Sequence, residues 1–192
     1  MKNLPAFLNQ FNWIDIFVLI LTLRIIYIAF KTGLKCEFFK LLGTLSAMYL
    51  SLHYYVSLSA FLNARIFNRP APSSLLNFVS FFFLLAFGYA IFFALRLVLS
   101  KVIKTDVNPK LDRWGGLACG AVRAVLTASI LLCLFLSSSG EYFRKSIRVS
   151  FSGPRVARIA PDTYVYFWNA LASKLQKAEK VNAAISGFQD IK

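Results

Sequence analysis

The sequence predicts an all-α polytopic membrane protein: a bundle of four transmembrane helices, an interfacial helix after the second span and an amphipathic C-terminal tail. Three observations lead there. Of 192 residues, 58% are hydrophobic and 16% charged, and 20 are Phe, whereas soluble domains average about 45–50% apolar and about 25% charged. The mean hydropathy is +0.61, an excess that a soluble domain of this length could hide only in part. Four apolar runs, at 14–30, 38–56, 78–99 and 116–136, approach or reach the roughly 20 residues that cross a bilayer as a helix. They lack the alternation of a barrel strand, and lipid leaves helix as the way to satisfy their backbone. A buried, all-helical soluble core is the plain alternative.

The first run follows a single basic residue, Lys2, and carries Asp15 and Arg24. Lys31, Thr32 and Gly33 come after it instead of a small-x-small cleavage site, so it reads as an uncleaved span. Asp15 and Gly33, eighteen residues apart, share a face with Ala29 close by, and Arg24 falls opposite. The second run ends in His53, Tyr54 and Tyr55, which reads as an interfacial belt, with a proton relay as the competing role. In "SLSAFLNARIFNRPAPSS" (57–74), Leu58, Phe61, Leu62 and Ile66 have helical spacing. Pro70 and Pro72 end that pattern, and Ser73 or Ser74 can cap the third span. Arg96 lies about a turn from the end of that span and can snorkel.

The chain divides into a four-span domain, 1–137, and a polar tail, 138–192. Within the tail, "PDTYVYFWNALASKLQK" opens with Pro161 and Asp162, suited to a helix start. Tyr164, Phe167, Trp168, Leu171 and Leu175 then mark one apolar face. That face suits a helix lying on the membrane or the bundle, or a partner protein's surface. The last dozen residues read as frayed.

Small residues recur every four positions on three spans: Gly43, Ala47 and Ser51; Ala86, Ala90 and Ala94; Gly116, Gly120, Ala124 and Ala128. Such stripes let membrane helices approach closely; a pore along them is the competing reading. Arg123 shares the face of Gly116 and Asp112, so it points into protein. An arginine deep in a span costs about 2.5–3.5 kcal/mol on insertion scales, which demands a partner or snorkelling. Asp112, eleven residues back, could reach it only by distortion, so Glu37 or Asp15 from another span is the better partner. The pairing reads as a structural clamp, with a transport site as the alternative.

The net charge of +14 does not point to nucleic acid here, because the cations cluster beside span ends, where anionic headgroups and cytoplasmic loops select them. Lys31, Lys35, Lys40, Lys101, Lys104, Lys110 and Arg113 flank the first and third loops; Lys2, Arg65, Arg69, Arg144, Lys145 and Arg148 flank the other side. This near balance leans towards both termini outside the cytoplasm. Cys36, Cys119 and Cys133 form neither a disulfide framework nor a metal pattern. No GxSxG, P-loop or HExxH motif occurs, and the single histidine leaves none for a second base. The expectation is a non-enzyme without metal or cofactor.

"NWIDIFVLI", then Gly33, Glu37 and Gly43, then "LDRWGGLACGAVRAVL" with Asp112, Arg113, Gly116, Gly120 and Arg123 together resemble the CvpA (colicin V production protein) family. The resemblance covers 13–136 and is looser around "RVARIAPDTY". Ala29, where the family often has a glycine, and Arg24 depart from its pattern. The resemblance implies a bacterial inner-membrane protein of four spans, linked to production or export of a colicin-type toxin. Some relatives look like membrane anchors of an extracytoplasmic serine protease, which agrees with a carboxyl terminus outside. Two functions follow as expectations. One is a non-catalytic membrane component that assembles with membrane-protein partners or with itself. The other is a small transporter or channel whose polar pathway runs through Arg123, Arg24, Glu37 and Asp15.

Overall fold

The computed structural model describes residues 11–66, 72–102, 108–138, 140–172 and 182–189. Lys2, Arg69, Pro70, Lys104 and Leu175, all used above, lie outside them. Four long helices lead: α1 (Trp13–Thr32), α2 (Leu34–Ile66), α3 (Ser73–Val102) and α4 (Pro109–Ser137). Two shorter ones follow, α5 (Glu141–Val149) and α6 (Gly153–Phe167), then a π turn at Trp168–Ala172, a 3-10 turn at Ala183–Ile185 and a last helical turn at Ser186–Gln189. The described residues contain no strand.

Three of the starts have a local cause. Asn12 and Asp15 form a capping box on α1. Asn108 caps α4, its side chain accepting from the Lys110 N–H at 3.1 Å with Pro109 at the first position. For α3 the cap is the Pro72 carbonyl, which accepts from the Leu75 and Leu76 N–H groups; Ser73 and Ser74 already belong to the helix. Residues 57–66 form no separate helix, because they continue α2 without a break. At about 1.5 Å per residue α2 is roughly 50 Å long, well beyond a hydrocarbon core of about 30 Å.

The packing order is α1, α4, α2, α3. α1 lies along α4, and α2 runs between α4 and α3. Three helices are long and apolar enough to cross a membrane: Trp13–Thr32, Ser73–Leu97 and Lys110–Ser137. Burial is 56% along the α4 segment against 28% and 22% for the other two, which makes α4 the central post. The outer helices turn large apolar side chains outward, among them Leu19, Ile20 and Leu23 on α1 and Phe82, Phe83 and Phe87 on α3. Apolar surface on that scale belongs in lipid.

Two of the three small-residue stripes form seams. Gly116, Gly120, Ala124 and Ala128 are buried on α4, and Gly43, Ala47 and Ser51 on α2. Ala86, Ala90 and Ala94 instead face outward. The phase of α3 is set by Phe81, Leu85 and Gly88, all turned inward. A Cβ on Gly88 would stand 2.6 Å from the Ala47 Cα.

The tail joins the same core. Trp13 stacks on Tyr142 at 6.3 Å and meets Phe143 edge-on, which fixes α5 to the start of α1. Pro161 lies inside α6 rather than at its start; the helix begins eight residues earlier, at Gly153-Pro154. Proline removes the N–H that would bond the carbonyl four residues back. Here that carbonyl, Ala157, accepts from Ser129 Oγ at 3.3 Å and Cys133 Sγ at 3.4 Å on α4. The Ala160 N–H donates to Ser129 Oγ at 2.8 Å. Nor is the end of the chain frayed where it is described. Ile185 and Phe188 are buried, and the Asn182 side-chain amide donates to the Leu52 carbonyl at 2.9 Å.

Gly88→Val should therefore separate α2 from α3 and lower thermal stability in detergent by about 1–3 kcal/mol. Ala90→Val, on the outward face of the same helix, should change it by less than about 0.5 kcal/mol. Melting curves of the two variants check this, and equal losses would refute the assigned phase of α3.

Candidate functional site

The chemistry-bearing residues gather where α1 turns into α2. One residue, Gly33, makes that turn, at φ +79°, a region open to glycine and strained for other residues. Its N–H donates to the Ala29 carbonyl at 3.3 Å. A side chain there would also strike the Asp112 carboxylate. Asp112, in the first turn of α4, accepts the Leu34 N–H through Oδ1 at 2.8 Å. It thus caps α2 from another helix and sets a negative charge at a helix N-terminus, where the dipole favours it.

One turn into α2, the Glu37 side chain is 0% exposed. Oε1 accepts from Thr32 Oγ1 at 2.6 Å and pairs with Lys40 Nζ at 2.5 Å. Oε2 pairs with Arg123 Nη2 at 2.7 Å. Of the two acids available to Arg123, Glu37 is the partner and Asp15 is not. Absence of side chains makes the room: a Cβ on Gly116 would lie 2.8 Å from the Gly33 carbonyl carbon, and one on Gly120 would run into the Ala29 side chain. Small residues and ion pair are one device, because the seam must be tight for Arg123 to reach Glu37.

The other predicted residues divide. Gly43 is buried on the α2–α3 seam, where a Cβ would stand 3.0 Å from the Phe92 Cβ. Arg113 is exposed beside Asp112, and Arg24 is exposed on the outer face of α1. Asp15, buried at the opposite end of α1, forms a second anchor. It accepts the Asn12 N–H at 2.9 Å, the Ser152 N–H at 2.7 Å, the Ser152 hydroxyl at 2.5 Å and the Phe151 N–H at 3.2 Å. It thereby holds the start of α6 against the start of α1. His53 is buried rather than interfacial: Nδ1 lies 2.6 Å from the Tyr164 hydroxyl, and its ring stacks on Trp168 at 5.0 Å.

Sequence reasoning missed Thr32 and Lys40 as partners of Glu37, Ser152 as a partner of Asp15, and Ser129. For Lys40 the signal was present, since an acid and a base three apart on a helix face each other. For Ser152 it lay in Ser-Gly-Pro, a helix-start pattern. Among the described residues no three His, Cys, Asp or Glu side chains converge as metal ligands. The arrangement does one kind of work visibly: carboxylates in the bundle lash helix ends and helix flanks together.

Long helices with outward apolar faces and buried carboxylates that pair with or cap neighbouring helices define a polytopic helical membrane protein. A family model described as Colicin V production protein matches residues 14–161, and the chain belongs to that family. Comparison with curated proteins and with solved structures returned no match.

Removing one partner from a buried ion pair costs about 3–5 kcal/mol, so Glu37→Gln and Arg123→Gln should each destabilise the folded protein on that scale. Because the two share one interaction, the double variant should lose less than the sum. Thermal melts of the four proteins in detergent test this, and additive losses would break the claimed coupling.

Proposed function

We propose that the protein is a non-catalytic component of the bacterial inner membrane, with four spans and both termini outside the cytoplasm. It assembles with membrane-protein partners, or with copies of itself, in toxin production, secretion or envelope upkeep. The second span is α2: it is less apolar than its neighbours, but it packs between α3 and α4, which shield its polar side chains. In this reading residues 1–137 form the membrane domain and 138–192 the tail, and the lipid bilayer is the immediate environment; neither nucleic acid nor a cofactor is involved.

The observation that carries a scaffold reading is the closed seam between α1 and α4. Backbone meets backbone at Gly116 and Gly33, and the charge of Glu37 is taken up by Arg123, Lys40 and Thr32. The four groups of a transport pathway do not share one path. Glu37 and Arg123 pair at one end of α1, Asp15 lies at the other, and Arg24 is on the outer face. A component built this way offers rigid surfaces rather than a conduit.

Extraction of native membranes in mild detergent, capture of the tagged protein, mass spectrometry and a native mass would test the reading. A reproducible complex with other membrane proteins, or a defined homo-oligomer that shows no solute flux in vesicles, is the expected result. A homo-oligomer that carries flux abolished by Arg123→Gln would establish a transporter instead. Periplasmic reporter activity at the carboxyl terminus is expected for the proposed topology, and cytoplasmic activity there would reverse it.

A further inference from the structure

Arg123 and Lys40 also border a small cleft between α2, α3 and α4, together with Arg96, Tyr89 and Phe92. The cleft holds about 80 Å³. Its charges do not cancel. Among the described residues, Glu37 is the carboxylate ion-paired with Arg123 and with Lys40, and Arg96 brings a third cation with no acidic partner. Among the described residues these are three positive groups against one negative, a surplus of two in a bundle whose outer faces are apolar, where unpaired charge is costly.

Two details point to what would neutralise it. Arg123 uses Nη2 on Glu37, while its Nε is buried without a hydrogen-bond acceptor; a guanidinium with a spare donor suits an anion with several oxygens. Arg96 stands about a turn before the end of the apolar run 78–99, so the cleft opens close to headgroup level. The Tyr89 hydroxyl, 2.8 Å from Thr44 Oγ1, adds a polar wall, and exposed Phe93 borders the mouth with apolar surface. The volume suits a phosphate group and excludes a whole lipid, whose chains would lie outside along the apolar face.

We propose that Lys40, Arg96 and Arg123 form a binding site for a phosphate-bearing anion, either the headgroup of an anionic phospholipid or free phosphate. The site is independent of whether the protein works as a scaffold or a transporter.

Native mass spectrometry of the full chain in detergent tests it, with phosphatidylglycerol, phosphatidylcholine and inorganic phosphate offered separately. Arg96→Gln is the informative variant, because it leaves Glu37 with all its partners and should fold normally; Lys40→Gln is the second, accepted once its circular dichroism matches the parent. Arg24→Gln, on the outer face of α1, is the control for general charge. If the anion is a lipid, phosphatidylglycerol is retained over phosphatidylcholine, and losing Arg96 or Lys40 lowers retention about fivefold while losing Arg24 does not. If it is free phosphate, phosphate binds and raises the melting temperature of the parent protein and not of Arg96→Gln, without a preference between the lipids. Binding of neither anion, or equal losses from Arg24→Gln and Arg96→Gln, overturns the proposal.

Discussion

A carboxylate with no access to water must be given its partners by the protein, and at Glu37 that requirement shapes one end of the bundle. Thr32 reaches it because α1 ends one residue before the turn, Lys40 because α2 has begun, and Arg123 because α4 lies close enough. Closeness in turn needs Gly116 and Gly120, where any side chain would strike α1 or the turn. The turn needs Gly33, whose backbone angle and whose contact with Asp112 both exclude a side chain. Few of these residues could change alone without leaving a charge or a backbone group uncompensated.

The same logic recurs in weaker form elsewhere. Asp112 satisfies the open N-terminus of α2, and Asp15 satisfies that of α6, each from a helix distant in sequence. Helix ends carry unbonded N–H groups and partial positive charge, so an acid from a neighbouring helix both caps and aligns. Three acids at three corners thus fix α1 to α6, α4 to α2 and α2 to α4. The apolar surfaces between them, which have little hydrophobic drive to associate in lipid, inherit their register from these contacts.

Much of this was legible in the residues. The wheel position of Arg123 turned it inward, the cost of its charge demanded an acid, and Glu37 stood among the two offered. What decides against Asp15 is its place at the far end of α1, which no spacing within one helix reveals. The Asp112 cap left no trace, because the N–H it accepts belongs to another helix, and for Asp15 the Ser-Gly-Pro pattern marks a helix start without naming the acid that meets it. On α3 the alanine stripe misled: alanine suits lipid-facing and packed positions alike, and a single glycine, Gly88, marked the true seam. His53 beside two tyrosines looked like a belt because its partners, Tyr164 and Trp168, lie more than a hundred residues away. Pro161 misled because proline usually opens a helix or ends one; here another helix makes it tolerable.

That tolerance has a temporal side. The Ala157 carbonyl and the Ala160 N–H are served from outside α6, by Ser129 and Cys133. Alone, α6 would be a frayed segment with a broken hydrogen-bond ladder, poor at holding its shape while the ribosome is still at work. Synthesis from the amino terminus delivers α4 first, with a hydroxyl and a thiol waiting at the right height. The tail therefore depends on the central post, whose Ser129 and Cys133 complete the hydrogen bonding of α6.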